Sequence, residues 1–446
     1  MAALEQMLGV VSGWLWGWPL IVLLFGTHLF LTVRTSFVQR ALGTALRLSF
    51  SRQREGSGEI SHFGALTTAL AATVGTGNIV GVATAVALGG PGAVLWMWFT
   101  GIFGIATKYG EALLAIKYRR LNLDGSVSGG PMYVLEYGLN AKWLAVLFAL
   151  FTAIAAFGIG NMVQANSIAD LSHATFGLPR WVTGLLLAVL TALVILGGVR
   201  AIATVCEKLV PLMVIVYLTG AMLLLASGWR TLPDTIITIV SSAFGGHAAL
   251  GGFAGAMVRE TVRYGIARGL FSNEAGLGSA PIVAAAAQTK NPVRQALVSS
   301  TGTFWDTVVV CLITGLVIVN SGHWQEGLSG AALTHAAFSH LGAIGPALLS
   351  FALLTFVFST ILGWSYYGEK AVEYLLGKNA IRPYRWLWIC AVLAGASVSL
   401  TAVWTFADIA NALMAVPNLI SLIALNGVIA AETRAYLWTP GQLDCE

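Results

Sequence analysis

Charge is what this sequence has least of. Asp, Glu, Lys and Arg make up 10% of its 446 residues, 57% are hydrophobic, and the mean hydropathy is +0.80. Soluble domains carry about 25% charged residues, so a water-facing globular fold is excluded and a polytopic membrane protein is implied. Its length goes into helices around one bundle. Cysteine is scarce too: Cys206, Cys311, Cys390 and Cys445 are scattered, without metal or redox spacing, and read as small hydrophobes. Enzyme signatures are missing, with no H-E-x-x-H, no G-x-S-x-G and no paired acid near a histidine. The glycine-rich stretch around Gly75 follows no strand and lacks G-x-G-x-x-G spacing, so it is no dinucleotide loop. The net charge of +5 comes from loop arginines and lysines and gives no argument for nucleic-acid binding. The first apolar stretch has no basic region before it and no A-x-A site after it, and reads as a true span.

A span needs roughly 20 apolar residues. Eleven stretches qualify: 14–33, 62–89, 92–116, 143–168, 181–199, 204–227, 251–285 (interrupted), 293–319, 344–368, 384–402 and 405–431. The odd-numbered connections and the C-terminal tail hold 18 lysines and arginines, and the even-numbered ones only Arg180 and Arg230. By the positive-inside rule the N-terminus lies outside and the C-terminus in the cytoplasm; the membrane is expected to be the bacterial inner one. The clean alternation favours an odd number of spans. The connections 120–140 and 320–343 are long and glycine-rich and are expected to fold as short surface or re-entrant pieces.

Two stretches are broken at mid-depth. The first reads Val74-Gly75-Thr76-Gly77-Asn78. Glycine costs about 1 kcal/mol against alanine in a helix interior, and in hydrocarbon every freed backbone group needs a partner. The second runs from Gly265 to Pro281, with Gly265, Gly269, Gly276, Gly278 and Pro281 as breakers and Ser272, Asn273 and Glu274 at the break. With 1–61 set aside as an extra helix and cytoplasmic linker, the breaks fall in the first helix of two five-helix halves, 62–227 and 251–431. Five is odd, so the halves have opposite topology, as an inverted repeat requires, and corresponding broken helices mark a transport site. Close packing through small residues is the plainer reading of either break alone.

The physics of such a site follows. Half-helix N-termini suit a carboxylate; freed carbonyls with amide and hydroxyl oxygens suit a dehydrated Na+. Thr76, Gly77 and Asn78 offer N–H groups, and Ala71, Val74 and Asn78 offer oxygens. Ser359 and Thr360 either bond back to the i−4 carbonyl or face an ion. Trp364, one turn on, walls a pocket or is core. Phe157, Asn161 and Gln164 fall near one helical face, with Gln164 reaching either a substrate or a neighbouring helix. Among the buried charges, Lys108 and Glu111 are expected to pair at i, i+3. Arg259, Glu260 and Arg263 are expected near the outer interface. Arg268 and Glu274 flank the second break as candidate gate ions, and Asp306 and Asp408 balance arginines or line the pathway. No carboxylate falls clearly at the ion position, which favours Na+ over H+ coupling.

Gly75 to Gly81, Lys108-Tyr109-Gly110-Glu111, Gly129-Gly130-Pro131-Met132-Tyr133, Arg268 to Pro281 and Gly363 to Glu369 together resemble the alanine/glycine:cation symporters, also called sodium:alanine symporters, nearly end to end. The resemblance implies an all-α LeuT-type core, a 5+5 inverted repeat plus one N-terminal helix and thus about 11 transmembrane helices. It implies Na+-driven import of alanine or glycine by alternating access, with Na+ as coupling ion and no organic cofactor, by a monomer in lipid. It also implies that Thr76 and Gly77 hold the substrate carboxylate and that Asn78 binds Na+, as the similar motif does in neurotransmitter:sodium symporters. A second Na+ would sit between the Ala71 and Val74 carbonyls and Ser359 and Thr360. Gln164, Phe271, Ser272, Asn273 and Trp364 would touch the substrate. Aromatic walls from Phe157, Phe271 and Trp364 imply a small side chain. The rival is a proton-coupled or differently specific small-solute transporter of the same fold. A channel or receptor is disfavoured, because the chain has no filter-like repeat and no large soluble sensor domain.

Overall fold

The structure, a computed structural model, describes residues 2–51, 56–122, 125–245, 253–397, 401–439, 441 and 443. Cys445, Arg52, Arg54, Asp124, the first two residues of the seventh expected stretch and the 398–400 junction between the last two lie outside the described residues. Among the described residues the regular structure is helical apart from one hairpin of two-residue strands, Arg120–Leu121 and Val127–Ser128, and an isolated bridge between Ile60 and Ala287. Helices are what an apolar chain must form where no water can satisfy its backbone.

The helices that follow the expected stretches are α1 (Gln6–Arg34), α2 (His62–Thr73 plus Gly77–Gly89), α3 (Ala93–Lys117), α4 (Lys142–His173), α5 (Arg180–Ile195), α6 (Gly198–Ser227), α7 (Phe253–Asn273, with a short turn Ala280–Ala284), α8 (Pro292–Ser321), α9 (Ile344–Leu376), α10 (Ile381–Ser397) and α11 (Thr401–Ala424). Six of them, α1, α4, α6, α8, α9 and α11, are long and apolar enough to cross a membrane, and the two parts of α2 together make a seventh. Val22, Leu193, Ile215 and Ile237 stand exposed on the outside, where lipid replaces water as their solvent. The connection 120–140 holds the small hairpin and a helical turn, Pro131–Gly138. The connection 320–343 holds the helix Gly330–Phe338 between two tight turns, His323–Glu326 and Ser339–Leu341. An apolar helix that the sequence reading did not anticipate, Leu232–Ala243, joins α6 to α7 and packs on α3 and α8.

Both breaks are real. α2 is capped at its start by Ser61, whose hydroxyl accepts from the Gly64 amide, and bends by 55° at residues 74–76 before resuming as a π-helical turn, Gly77–Gly81. α7 stops at Asn273. Residues 274–279 then run unwound, with φ of +54° at Glu274, +91° at Gly276 and +85° at Gly278. α2 lies against α6, α7 and α9; α3 packs on α1, α7 and α8; α4 packs on α9 and α11. The breaks therefore face each other inside the bundle: a Cβ on Gly77 would stand 3.5 Å from the Ser272 backbone.

Candidate functional site

The two breaks and α4, α9 and α11 enclose a cavity of about 30 Å³, lined by Ala72, Thr73, Gly75, Thr76, Gly77, Ile159, Gln164, Phe271, Ser272, Glu274, Thr360, Trp364 and Asn411. That is room for roughly two water-sized molecules. Thr76 and Gly77 open the second part of α2, so their N–H groups have no carbonyl in a preceding turn and point an anion-binding helix end at this space. Two residues that line the same cavity carry acceptors. The Gln164 Nε2 donates to the Ile159 carbonyl at 2.9 Å, which leaves its Oε1 buried without a partner, as is the Asn411 Oδ1. A buried acceptor left this way costs about 1–3 kcal/mol until a donor arrives. The buried indole Nε1 of Trp364 likewise makes no hydrogen bond. The residues lining the cavity thus carry both helix-end donors and unpartnered acceptors, with Ile159, Phe271 and Trp364 as apolar lining.

Beside it, one carboxylate ties the breaks together. Asn78 donates through Nδ2 to Asp306 Oδ1 at 2.6 Å and to the Asp306 carbonyl at 3.2 Å. Ser272 donates to Asp306 Oδ2 at 3.0 Å, and Thr307 donates to the same oxygen at 2.7 Å. The Asn78 Oδ1 accepts from the Gly75 amide at 2.9 Å. Cys311 lies at the same junction, its Sγ 3.3 Å from Asn78 Nδ2 and 3.2 Å from Ser272 Oγ. Asp306, expected only to balance arginines or to line the pathway, contacts both breaks, although 228 residues separate it from Asn78.

A second cluster of oxygens lies between α2 and α9. The Ser359 hydroxyl donates to the Ala71 carbonyl at 3.1 Å and to that of Phe356 at 2.8 Å. Thr360 bonds back to Phe356 at 3.0 Å, and its Oγ1 would stand 3.0 Å from a Cβ on Gly75. Val74 ends the first part of α2 in an extended conformation. Ala71, Ser359 and Thr360 are thus brought together by the close packing of α2 on α9, with Val74 next in the chain.

Some expected residues stand elsewhere. Asn273 does not line the cavity; its Oδ1 accepts from the Ala275 amide at 2.9 Å and holds the turn. Phe157 packs on Tyr384 and Trp388 with ring centroids 5.4 and 5.3 Å away, and Asn161 donates to the Trp388 carbonyl. The cause is a seven-residue π-helical segment, Ala156–Met162, which adds residues to the turn and rotates Gln164 off the face that a regular helix would give it. Lys108 and Glu111 do not pair: no ion pair joins them within 4 Å, and Lys108 Nζ is buried without a hydrogen bond. Glu111 Oε1 instead accepts from the amides of Gly276 and Gly278 at 3.0 Å each and from Asn418 Nδ2 at 2.7 Å. Arg268 and Glu274 are no pair either. Glu274 accepts from Ser279 at 2.5 Å, whereas Arg268 lines the space above with Asp408. Arg259 and Arg263 both pair with Glu260. Asn411 was missed. Its signal was available: an amide in an apolar helix, three residues after Asp408.

The surroundings are asymmetric. Thr76, Gly77 and Phe271 also line a vestibule of about 620 Å³ with Thr84, Asp170, Arg268, Ala331, Val357 and Asp408. Phe271, edge-on to Trp16 at 6.1 Å, stands between vestibule and cavity. At the opposite end the Arg119 guanidinium donates to four carbonyls: Ala285 at 2.9 Å and Ala287, Ser57 and Thr289 at 2.7 Å each. There the segment leading into α2 is zipped to the segment leaving α7, with Glu59 N donating to Ala286 O at 2.7 Å and Gln288 N to Ile60 O at 2.8 Å.

Comparison with known proteins agrees with this geometry. Residues 1–442 match the model of the "Sodium:alanine symporter family". The chain is 51% identical over 442 residues to the "Sodium/alanine symporter AgcS" of Methanococcus maripaludis, covering 97% of each. It is 50% identical over 438 residues to an uncharacterized transporter of Haemophilus influenzae, covering 97% of this chain and 96% of that one. Among solved structures it resembles MhsT in complex with L-phenylalanine, at 15% identity and a TM-score of 0.59, over 86% of this chain and 91% of that one; this likeness shows the LeuT-type fold. The chain belongs to the sodium:alanine symporter family.

Proposed function

We propose that this protein is a sodium-coupled symporter that imports small neutral amino acids, alanine or glycine, by alternating access. The observation that carries the reading is the cavity between the two breaks, whose lining combines Thr76 and Gly77 at a helix start with Gln164 and Asn411, each carrying a buried unpartnered acceptor. A zwitterion satisfies both ends at once: carboxylate to the amides, ammonium to the acceptors. The Ile159, Phe271 and Trp364 lining favours a short side chain in a cavity that must widen to admit even that, and the relative titled a sodium/alanine symporter supports the same substrate. Na+ takes the Ala71, Val74, Ser359 and Thr360 oxygens, and a second Na+ sits by Asn78, where the Asp306 carboxylate supplies charge. Filling these sites orders both breaks. The Arg119 closure then opens as the vestibule shuts. The lysine and arginine bias supports an outward vestibule in an inner membrane: α2 and α4 end there, and α7, α9 and α11 begin there.

Asp306 also favours a second reading, in which the buried carboxylate carries a proton as the coupling ion. One experiment separates the two: uptake of radiolabelled alanine into proteoliposomes under an inward Na+ gradient, an equal K+ gradient, or an acid-outside gradient. Accumulation with Na+ alone is expected. Accumulation with the acid gradient but not Na+ assigns coupling to protons, and none in any arm overturns alanine as substrate.

A further inference from the structure

We propose that His323 and His340 form a binding site for a transition-metal ion of the Zn2+ class, at the foot of a lid over the vestibule. The two Nε2 atoms face each other at 3.2 Å, with ring centroids 5.0 Å apart. Two imidazole nitrogens on one tetrahedral Zn2+ stand about 3.3 Å apart, given Zn–N bonds of about 2.0–2.1 Å. Metal binding needs both Nε2 atoms unprotonated, which moves each ring proton to Nδ1. For His323 that proton has an acceptor in place, Glu326 Oε1 at 2.9 Å from Nδ1. This is the carboxylate–histidine–metal order that fixes a ligand's tautomer. His340 is exposed, so water completes the shell. Among the described residues no group of three His, Cys, Asp or Glu side chains is placed to hold a metal, which sets the affinity in the micromolar range. The plainer alternative is a histidine pair sharing one proton.

The location gives the ion a role. His323 lies in the turn before the helix Gly330–Phe338 and His340 in the turn after it. Between them Ala331 lines the vestibule and Leu333 is buried, while the Thr334 hydroxyl reaches the Ile79 carbonyl of α2 at 3.5 Å. An ion across the histidines ties both stems of this lid together and restrains its movement relative to α2.

The test is a Zn2+ titration of protein purified without a polyhistidine tag and stripped with a chelator, read by a competing metal indicator. One ion per chain with micromolar affinity is expected. His323→Ala and His340→Ala each weaken binding tenfold or more, Glu326→Gln weakens it by a smaller factor, and His335→Ala leaves it unchanged. Absence of saturable micromolar binding, or binding in either alanine variant as tight as in the parent, overturns the site; this readout needs no transport and is independent of the proposed substrate. Saturating Zn2+ should also slow alanine uptake by the parent protein and spare His340→Ala. Uptake insensitive to Zn2+ in both overturns the lid's role.

Discussion

Asn78 spends every polar atom of its side chain on the first break: Oδ1 on the Gly75 amide, Nδ2 on Asp306. Replacing it with alanine leaves two buried groups short of a partner, at about 1–3 kcal/mol each. With about 1.4 kcal/mol to a factor of ten, the Na+ concentration for half-maximal uptake in Asn78→Ala should rise at least tenfold; unchanged Na+ dependence would remove Asn78 from the ion site. Asn411→Leu keeps the volume of the side chain and deletes its acceptor. It should raise the KM for alanine several-fold with little change in melting temperature, and an unaltered KM would move the ammonium elsewhere. Residues at the first break were readable because an amide next to two glycines has few other uses in a membrane helix. Asp306 was readable only as a buried charge and Asn411 only as an amide in an apolar helix, since the groups they meet belong to helices far away in the chain.

At the scale of the helical element, the second break is held by a partner from another helix. Glu111 of α3 accepts from the amides of Gly276 and Gly278, and Asn418 of α11 braces both Glu111 and the Gly276 carbonyl. Glu111→Gln should cost about 1–3 kcal/mol, seen as a lowered melting temperature in detergent and weaker uptake. Gly278→Ala should be harsher. Its φ is +85°, which costs a side-chain-bearing residue about 1–2 kcal/mol, and a Cβ there would come within 2.8 Å of Phe148 and 2.9 Å of Asn418. A normal melting temperature in Gly278→Ala would show that the break relaxes freely. The breaks and the order of the long helices followed from composition and glycine spacing. The face of α4 did not, because a π-helical segment cannot be read from a 3.6-residue period, and Phe157 was carried with it onto Tyr384 and Trp388.

For the molecule as a whole, the contrast is between an open vestibule and the opposite end, where Arg119 gathers four carbonyls from two chain segments. Arg119→Ala removes those bonds together. Amide hydrogen exchange should rise in 56–61 and 285–289, and the variant should favour the conformation open to that end, lowering uptake against a gradient. Unchanged exchange in both segments would show that the backbone pairing alone keeps the end closed. Neither segment was legible as a closure, for its bonds are backbone bonds and carry no side-chain signature.

Glu111 has one consequence beyond stability. Its carboxylate occupies the amides of the second break as an amino acid's own carboxylate would occupy those of the first. The protein carries a permanent imitation of its cargo's acidic end in one of two comparable receptors. With the second break so occupied, the proposed carboxylate site at the first break would give a zwitterion a single way round in the cavity, its side chain meeting the same wall each time.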